Sequence, residues 1–233
     1  MYHPFSVTET LSIAWHILKR NFATIAVYSL IAFIIVGGLA FLIYYIITDD
    51  VLSKIGLAAL VAGVSFIFLG FIKLVFILID KELYDFDFSD IVPKIKMLIS
   101  YLILLVIVST LAVFMTRSID KLNESLIQSI LGIFIGLFFQ FFFLFYFPIC
   151  TCFIVDDDSG PFESVAQSFR LIKGNFLKYF LLFILIEAMV FVGTITVLGM
   201  IFVIPFVNIL LVVAYRKLVY SHMDVDDDIT ETV

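Results

Sequence analysis

The chain has 233 residues, of which 63% are hydrophobic and only 15% charged, with a net charge of −6. Soluble domains carry about a quarter charged residues, so this composition excludes a soluble enzyme and leaves an integral membrane protein. No stretch between apolar runs is long enough to fold a separate catalytic domain, and the acidic balance argues against nucleic-acid binding.

The first element predicted is an amphipathic helix over residues 6–20, in the stretch SVTETLSIAWHILKRNF. Val7, Leu11, Ala14, Trp15, Leu18 and Phe22 fall on one stripe of a 3.6-residue wheel, with Glu9, Ser12, His16, Lys19 and Arg20 opposite. Ser6-x-x-Glu9 has the spacing of a capping box. Trp15 is placed to sit at headgroup depth, with Lys19 reaching phosphates. Asn21 falls where this helix turns into a spanning one, and its amide is suited to satisfy backbone groups at the bend. This amphipathic start predicts a retained anchor rather than a cleaved signal peptide.

Spans need about 20 apolar residues. They are predicted at about 22–47, 55–79, 97–115, 126–155, 177–192 and 198–215. The fourth is expected to tilt or bend near Pro148. The last apolar stretch is too long for one crossing and divides at Gly193-Thr194-Ile195-Thr196. Pro205 is expected to kink the sixth span. The acidic tail, 222–233, reads as disordered and as a docking end for a partner.

A second amphipathic helix is predicted over 160–174, in GPFESVAQSFRLIKGNF. Aligned without gaps on the first stretch, Glu163 matches Glu9, Phe169 matches Trp15, Lys173 matches Lys19 and Asn175-Phe176 matches Asn21-Phe22. Gly160 suits an N-cap, Pro161 the first helical position, and Glu163 the positive end of the helix. A weaker third copy is suggested by Phe88-Ser89-Asp90 followed by Lys94-x-Lys96. The expected fold is therefore all-α: a single membrane domain over 1–233, with six spans, two or three interfacial helices and a parallel internal repeat. Of the 14 Lys and Arg residues, eleven fall on the side of the termini; only Lys54, Arg117 and Lys121 fall on the other. That bias places both termini in the cytoplasm.

The segment from Glu163 to Phe176, ESVAQSFRLIKGNF, resembles one found before the fifth span in a group of six-span bacterial membrane proteins of unknown function. It is also similar to the membrane domain attached to some glycerophosphodiester phosphodiesterases. Gly199, Pro205 and Ala214-Tyr215-Arg216 of the last span resemble the same group. The resemblance implies a six-helix bacterial inner-membrane fold. It brings no catalytic residues, and the phosphodiesterase domain itself has no counterpart here.

Few residues point to chemistry. Glu187 lies well inside the fifth span, where an ionised carboxylate is expensive and marks either a proton or cation path or a structural hydrogen bond. Lys73 lies at a similar depth in span two, so a Lys73–Glu187 pair is geometrically allowed; the alternative is a lysine that snorkels to the headgroups. Gln140, Asn208 and Thr110 are expected to join helices. Gly37-Gly38 suggests a close helix contact or a flexible point, and Gly132-x-x-x-Gly136 fits the small-residue packing pattern. The run FFFLFYF, 141–147, reads as a lipid-facing aromatic surface or a sterol or polyprenyl contact. Cys150 and Cys152 read as small apolar fillers. Asp156-Asp157-Asp158 reads as a solvated acidic loop without the spacing of a calcium site. With no phosphate loop, metal-ligand pair or nucleophile triad in sight, neither cofactor nor metal is called for. The expected function is a non-enzymatic envelope protein that organises partners: membrane lipids, another membrane protein, or a second copy of itself. The alternative is a small secondary transporter or lipid-handling protein with Glu187 in its path.

Overall fold

The computed structural model describes residues 5–46, 50–80, 88–121, 126–195 and 197–230, without the side chains of 46, 50, 88, 120, 197, 198, 200 and 222–230. His3, Asp49 and Thr196, with the side chains of His222 and the tail acids, lie outside the described residues. Every regular element among the described residues is helical, as it must be for a chain whose backbone groups find no water in lipid.

Helix α1 (Val7–Arg20) leads through Asn21 into α2 (Phe22–Phe41), which ends in a π-helical turn over Leu42–Ile46. Then come α3 (Asp50–Asp80), the one-turn α4 (Phe88–Ile91) and α5 (Ile95–Asp120). Helix α6 (Leu126–Phe141) passes through a second π-helical turn, Phe142–Tyr146, into α7 (Phe147–Asp156). Helices α8 (Pro161–Lys173), α9 (Phe176–Ile195) and α10 (Val197–Thr230) complete the chain. Six stretches are long and apolar enough to cross a membrane: Phe22–Tyr45, Val51–Asp80, Ser89–Ile119, Leu126–Asp156, Phe176–Ile195 and Ile201–Ser221.

Pro148 explains the second π-helical turn. Proline lacks an N–H and its ring crowds the carbonyl four residues back, and a widened turn absorbs that crowding just ahead of α7. Pro205, by contrast, sits inside a helix that runs unbroken to Thr230. The tail therefore continues as helix well past the point at which its composition suggested disorder. The stretch expected as a third copy holds only the four-residue helix α4, with Pro93 between it and the start of α5 at Ile95.

Burial is one-sided. The buried residues gather at the ends of the spans that lie on the side of the termini: Leu69 to Phe76, Met97 to Leu104, Phe145 to Val155, Tyr179 to Ile186 and Ile209 to Leu218. The opposite halves are exposed. Only 6% of the apolar window of the first span and 11% of that of the fourth is buried.

The glycines follow the same division. Nothing lies within 4 Å of a Cβ built on Gly37, Gly38, Gly132 or Gly136, so neither glycine pair marks a helix contact. The close approach is at Gly70 instead. There the Tyr28 hydroxyl lies 2.6 Å from where a Cβ would stand while donating to the Ile67 carbonyl at 2.7 Å.

Candidate functional site

The polar centre of the molecule lies where α3 and α7 end beside Arg216 of α10. The guanidinium of Arg216 donates to Asp80 at 2.6 Å and to Asp156 at 3.0 Å. The Tyr215 hydroxyl donates to the same Asp156 oxygen at 3.0 Å. The guanidinium carbon stands 4.7 Å from the Phe76 ring centroid. Arg216 and Asp156 are each only about 20% exposed, so the pair is shielded far better than a surface ion pair. Planar, forked donors suit arginine to bridging two carboxylates from two helices.

The neighbouring acids are tied down as well. Lys94 meets Asp158 at 2.5 Å, and Asp158 takes φ = 53° in the tight turn between α7 and α8. Burial, then the adjacent Asp156 carboxylate, pushes Asp157 up from its ordinary value, opposed by Arg216. The acidic run is thus not simply a solvated loop; two of its three carboxylates lock helices together.

Two further links tie α1 and α8–α9 to the same stretch of α10. Glu9 accepts from Lys217 at 2.5 Å, and Asn175 donates to Ser221 at 3.2 Å. The Ser6 hydroxyl makes no capping bond; it lies 3.2 Å from Thr8. In α8 the Gly160 N–H meets the Glu163 carboxylate at 3.4 Å.

Contacts between α1 and α10 run in reverse order along the two chains: Glu9 with Lys217, Trp15 with Phe206, Phe22 with Phe202. Helix α1 therefore runs antiparallel along the last span. Thr10, Ala14 and Leu18 are buried, and Trp15 is 50% exposed. In the same way α8 folds back along α7, with Cys150 3.2 Å from Ser168 and the Tyr146 ring 4.2 Å from that of Phe169. Its buried residues include Ser164, Ser168 and Ile172, the positions aligned with Thr10, Ala14 and Leu18.

At the two bends the asparagines diverge. The Asn21 amide donates at 3.1 Å to the Ile17 carbonyl, which also accepts from the Asn21 backbone N–H at 3.0 Å. Asn175 instead spends its amide on the last helix. Lys19 and Lys173 are both exposed, and the Lys19 ammonium stands 5.1 Å from the Trp15 ring centroid.

The intramembrane candidates do not assemble. Lys73 donates to the Val92 carbonyl at 2.9 Å, and the Lys73–Glu187 pair does not form. The lysine is taken by the chain turn that follows α4 before the carboxylate comes into reach. Glu187 is half-buried, Gln140 and Thr110 are exposed, and Asn208 donates within its own helix to Ile204 at 2.8 Å. None of these joins two helices through a bond among the described residues.

The aromatic run also faces inward rather than to lipid. Phe145 is fully buried, its ring 4.8 Å from Tyr179 and 5.7 Å from Phe176, and its carbonyl accepts from the Tyr179 hydroxyl at 3.1 Å. Cys150 and Cys152 are buried, as fillers should be.

Sequence reasoning missed the Arg216–Asp156–Asp80 centre: Arg216 entered it through the charge bias and the resemblance of the last span, never as a partner of these acids. One signal was available. Acids close spans two and four on the side where Tyr215-Arg216-Lys217 closes span six, and such groups at one depth tend to meet.

Two apolar clefts border this region. One, of about 560 Å³, is lined by Trp15, Leu18, Lys19, Phe22, Phe202, Val203 and Phe206. The other, of about 320 Å³, lies between the start of α2 and Leu74 and Ile91. Glu187 lines neither. Compared with known proteins, the chain matches no family model, no curated protein and no solved structure.

Proposed function

We propose that this chain is a non-enzymatic membrane protein of the cell envelope that organises lipid or protein partners on the face carrying its termini. The observation that carries the reading is the tying of α1 and α8–α9 to one stretch of α10, through Glu9–Lys217 and Asn175–Ser221 beside the Arg216 centre. These contacts make a firm platform at the membrane boundary while the far halves of the spans stay loosely associated.

Both helices are read as amphipathic interfacial elements and as two copies of one repeat. The basic bias supports a cytoplasmic platform. The resemblance of residues 163–176 supports a bacterial inner membrane.

Affinity purification of the full chain in mild detergent tests this. A lipid or protein recovered in fixed ratio, and lost when Phe169 and Trp15 are both replaced by alanine, is the expected result. A second reading rests on Glu187, a half-buried carboxyl inside a span with no bonding partner among the described residues. Purified protein in liposomes that moves protons or a solute, with the movement abolished by Glu187→Gln, would overturn the platform in favour of a transporter.

A further inference from the structure

The cleft between α1 and α10 has walls of a distinctive kind. The Trp15 ring meets Phe206 edge-on at 5.8 Å, and Phe22 stacks on Phe202 at 6.2 Å. Between these pairs lies about 560 Å³ of apolar space, in the range of about 300–1,000 Å³ typical of small-ligand sites. Lys19 stands at its edge with its ammonium by the Trp15 ring. No carboxylate among the described residues lies within ion-pair reach of Lys19. A lysine bordering an apolar groove keeps its stem on the apolar wall and its charge at the polar boundary. Tryptophan and lysine together mark headgroup depth.

The aligned place in the second half of the chain shows what such a space takes when it is filled. Phe169 and Phe176 match Trp15 and Phe22. There Tyr146 lies 4.2 Å and Phe142 6.5 Å from Phe169, and Phe145 lies 5.7 Å from Phe176. Rings from the π-helical turn Phe142–Tyr146 plug the position. The first segment has no such turn beside it, and its groove is open.

We infer that the groove between α1 and α10 seats one acyl chain of a phospholipid with an anionic headgroup, whose phosphate is held by Lys19. The inference rests on the membrane reading above and names the lipid partner of that platform. Apolar walls match the chain, and the single cation at the mouth complements the phosphate.

Trp15 is the only tryptophan in the chain, so its emission reports this groove directly. The full-length protein is reconstituted in phosphatidylcholine vesicles that hold a minor fraction of mid-chain brominated lipid, either phosphatidylglycerol or phosphatidylcholine. Brominated phosphatidylglycerol is expected to quench Trp15 with an apparent exchange constant about fivefold larger, the weight of one lysine near an anionic surface. Lys19→Gln should bring the ratio to about one, Lys19→Arg should keep it, and Val203→Phe, which fills the groove, should weaken quenching by both lipids.

Equal quenching by the two lipids in the unaltered protein would overturn the proposal, as would a preference that survives Lys19→Gln. So would quenching by neither lipid that returns on dilution into excess vesicles, because a second copy would then occupy the groove. The platform reading is judged separately, by co-purification, and survives any of these results.

Discussion

Residues 6–22 and 160–176 share a pattern but not an environment. Both form a helix that leans along a span, bends at an asparagine and continues as a spanning helix. Both bury the same three aligned positions, Thr10, Ala14 and Leu18 in one and Ser164, Ser168 and Ile172 in the other. The outward aromatic differs. Phe169 is packed by Tyr146 and Phe142, whereas Trp15 meets one ring of the last span beside an open groove. Local sequence sets the bend, and the neighbouring element decides whether the pattern is plugged by protein or left open.

The largest test of this difference is Phe145→Ala. Removing a fully buried ring from the plugged side should cost about 3–4 kcal/mol, read as loss of thermal stability in detergent. Trp15→Ala on the open side should cost under about 1 kcal/mol. Equal losses would mean that the two sides are packed alike.

Arg216→Gln comes next, at about 2–3 kcal/mol, because two carboxylates are left without their shared cation. Adding Asp156→Asn should recover part of that loss, and the double mutant sharpens the view that one centre supports both halves.

The asparagines should separate in double-mutant cycles. Asn175→Ala and Ser221→Ala are expected to be coupled by about 0.5–1 kcal/mol, and Asn21→Ala and Ser221→Ala to be additive. Coupling in both pairs would erase the distinction between the bends.

Glu9→Gln should cost less than about 0.5 kcal/mol, an effect that disappears in high salt, since its bond to Lys217 is half exposed.

Last is the turn that only the second copy has. The folded value of Asp157 lies above its ordinary one, so the folded state favours the protonated form. Stability from this group is present in acid and is lost as pH rises from the ordinary carboxylate range through the raised value. Asp157→Asn should therefore raise the melting temperature slightly at neutral pH and leave it unchanged in strong acid.

Much of this molecule was legible in its residues. Apolar length alone gives the six crossings, because a lipid-embedded backbone has few alternatives to helix. The polar candidates in the spans were not legible: Lys73 and Glu187 were paired by depth and Gln140 and Asn208 were expected to join helices, but neither depth nor polarity says which way a side chain faces. The aromatic run 141–147 was assigned to lipid for want of any sign that the π-helical turn at Pro148 rotates Phe145 inward.

What the sequence determined by itself was therefore the class, the crossings and the repeated local turn, all properties of a segment and its solvent. What only the tertiary structure decided was which segments meet. Arg216 found Asp80 and Asp156 from 136 and 60 residues away, Glu9 met Lys217, and one of the two aligned segments was plugged while the other stayed open. Those outcomes depend on helix rotation and on which ends share a depth, and neither is encoded in hydropathy.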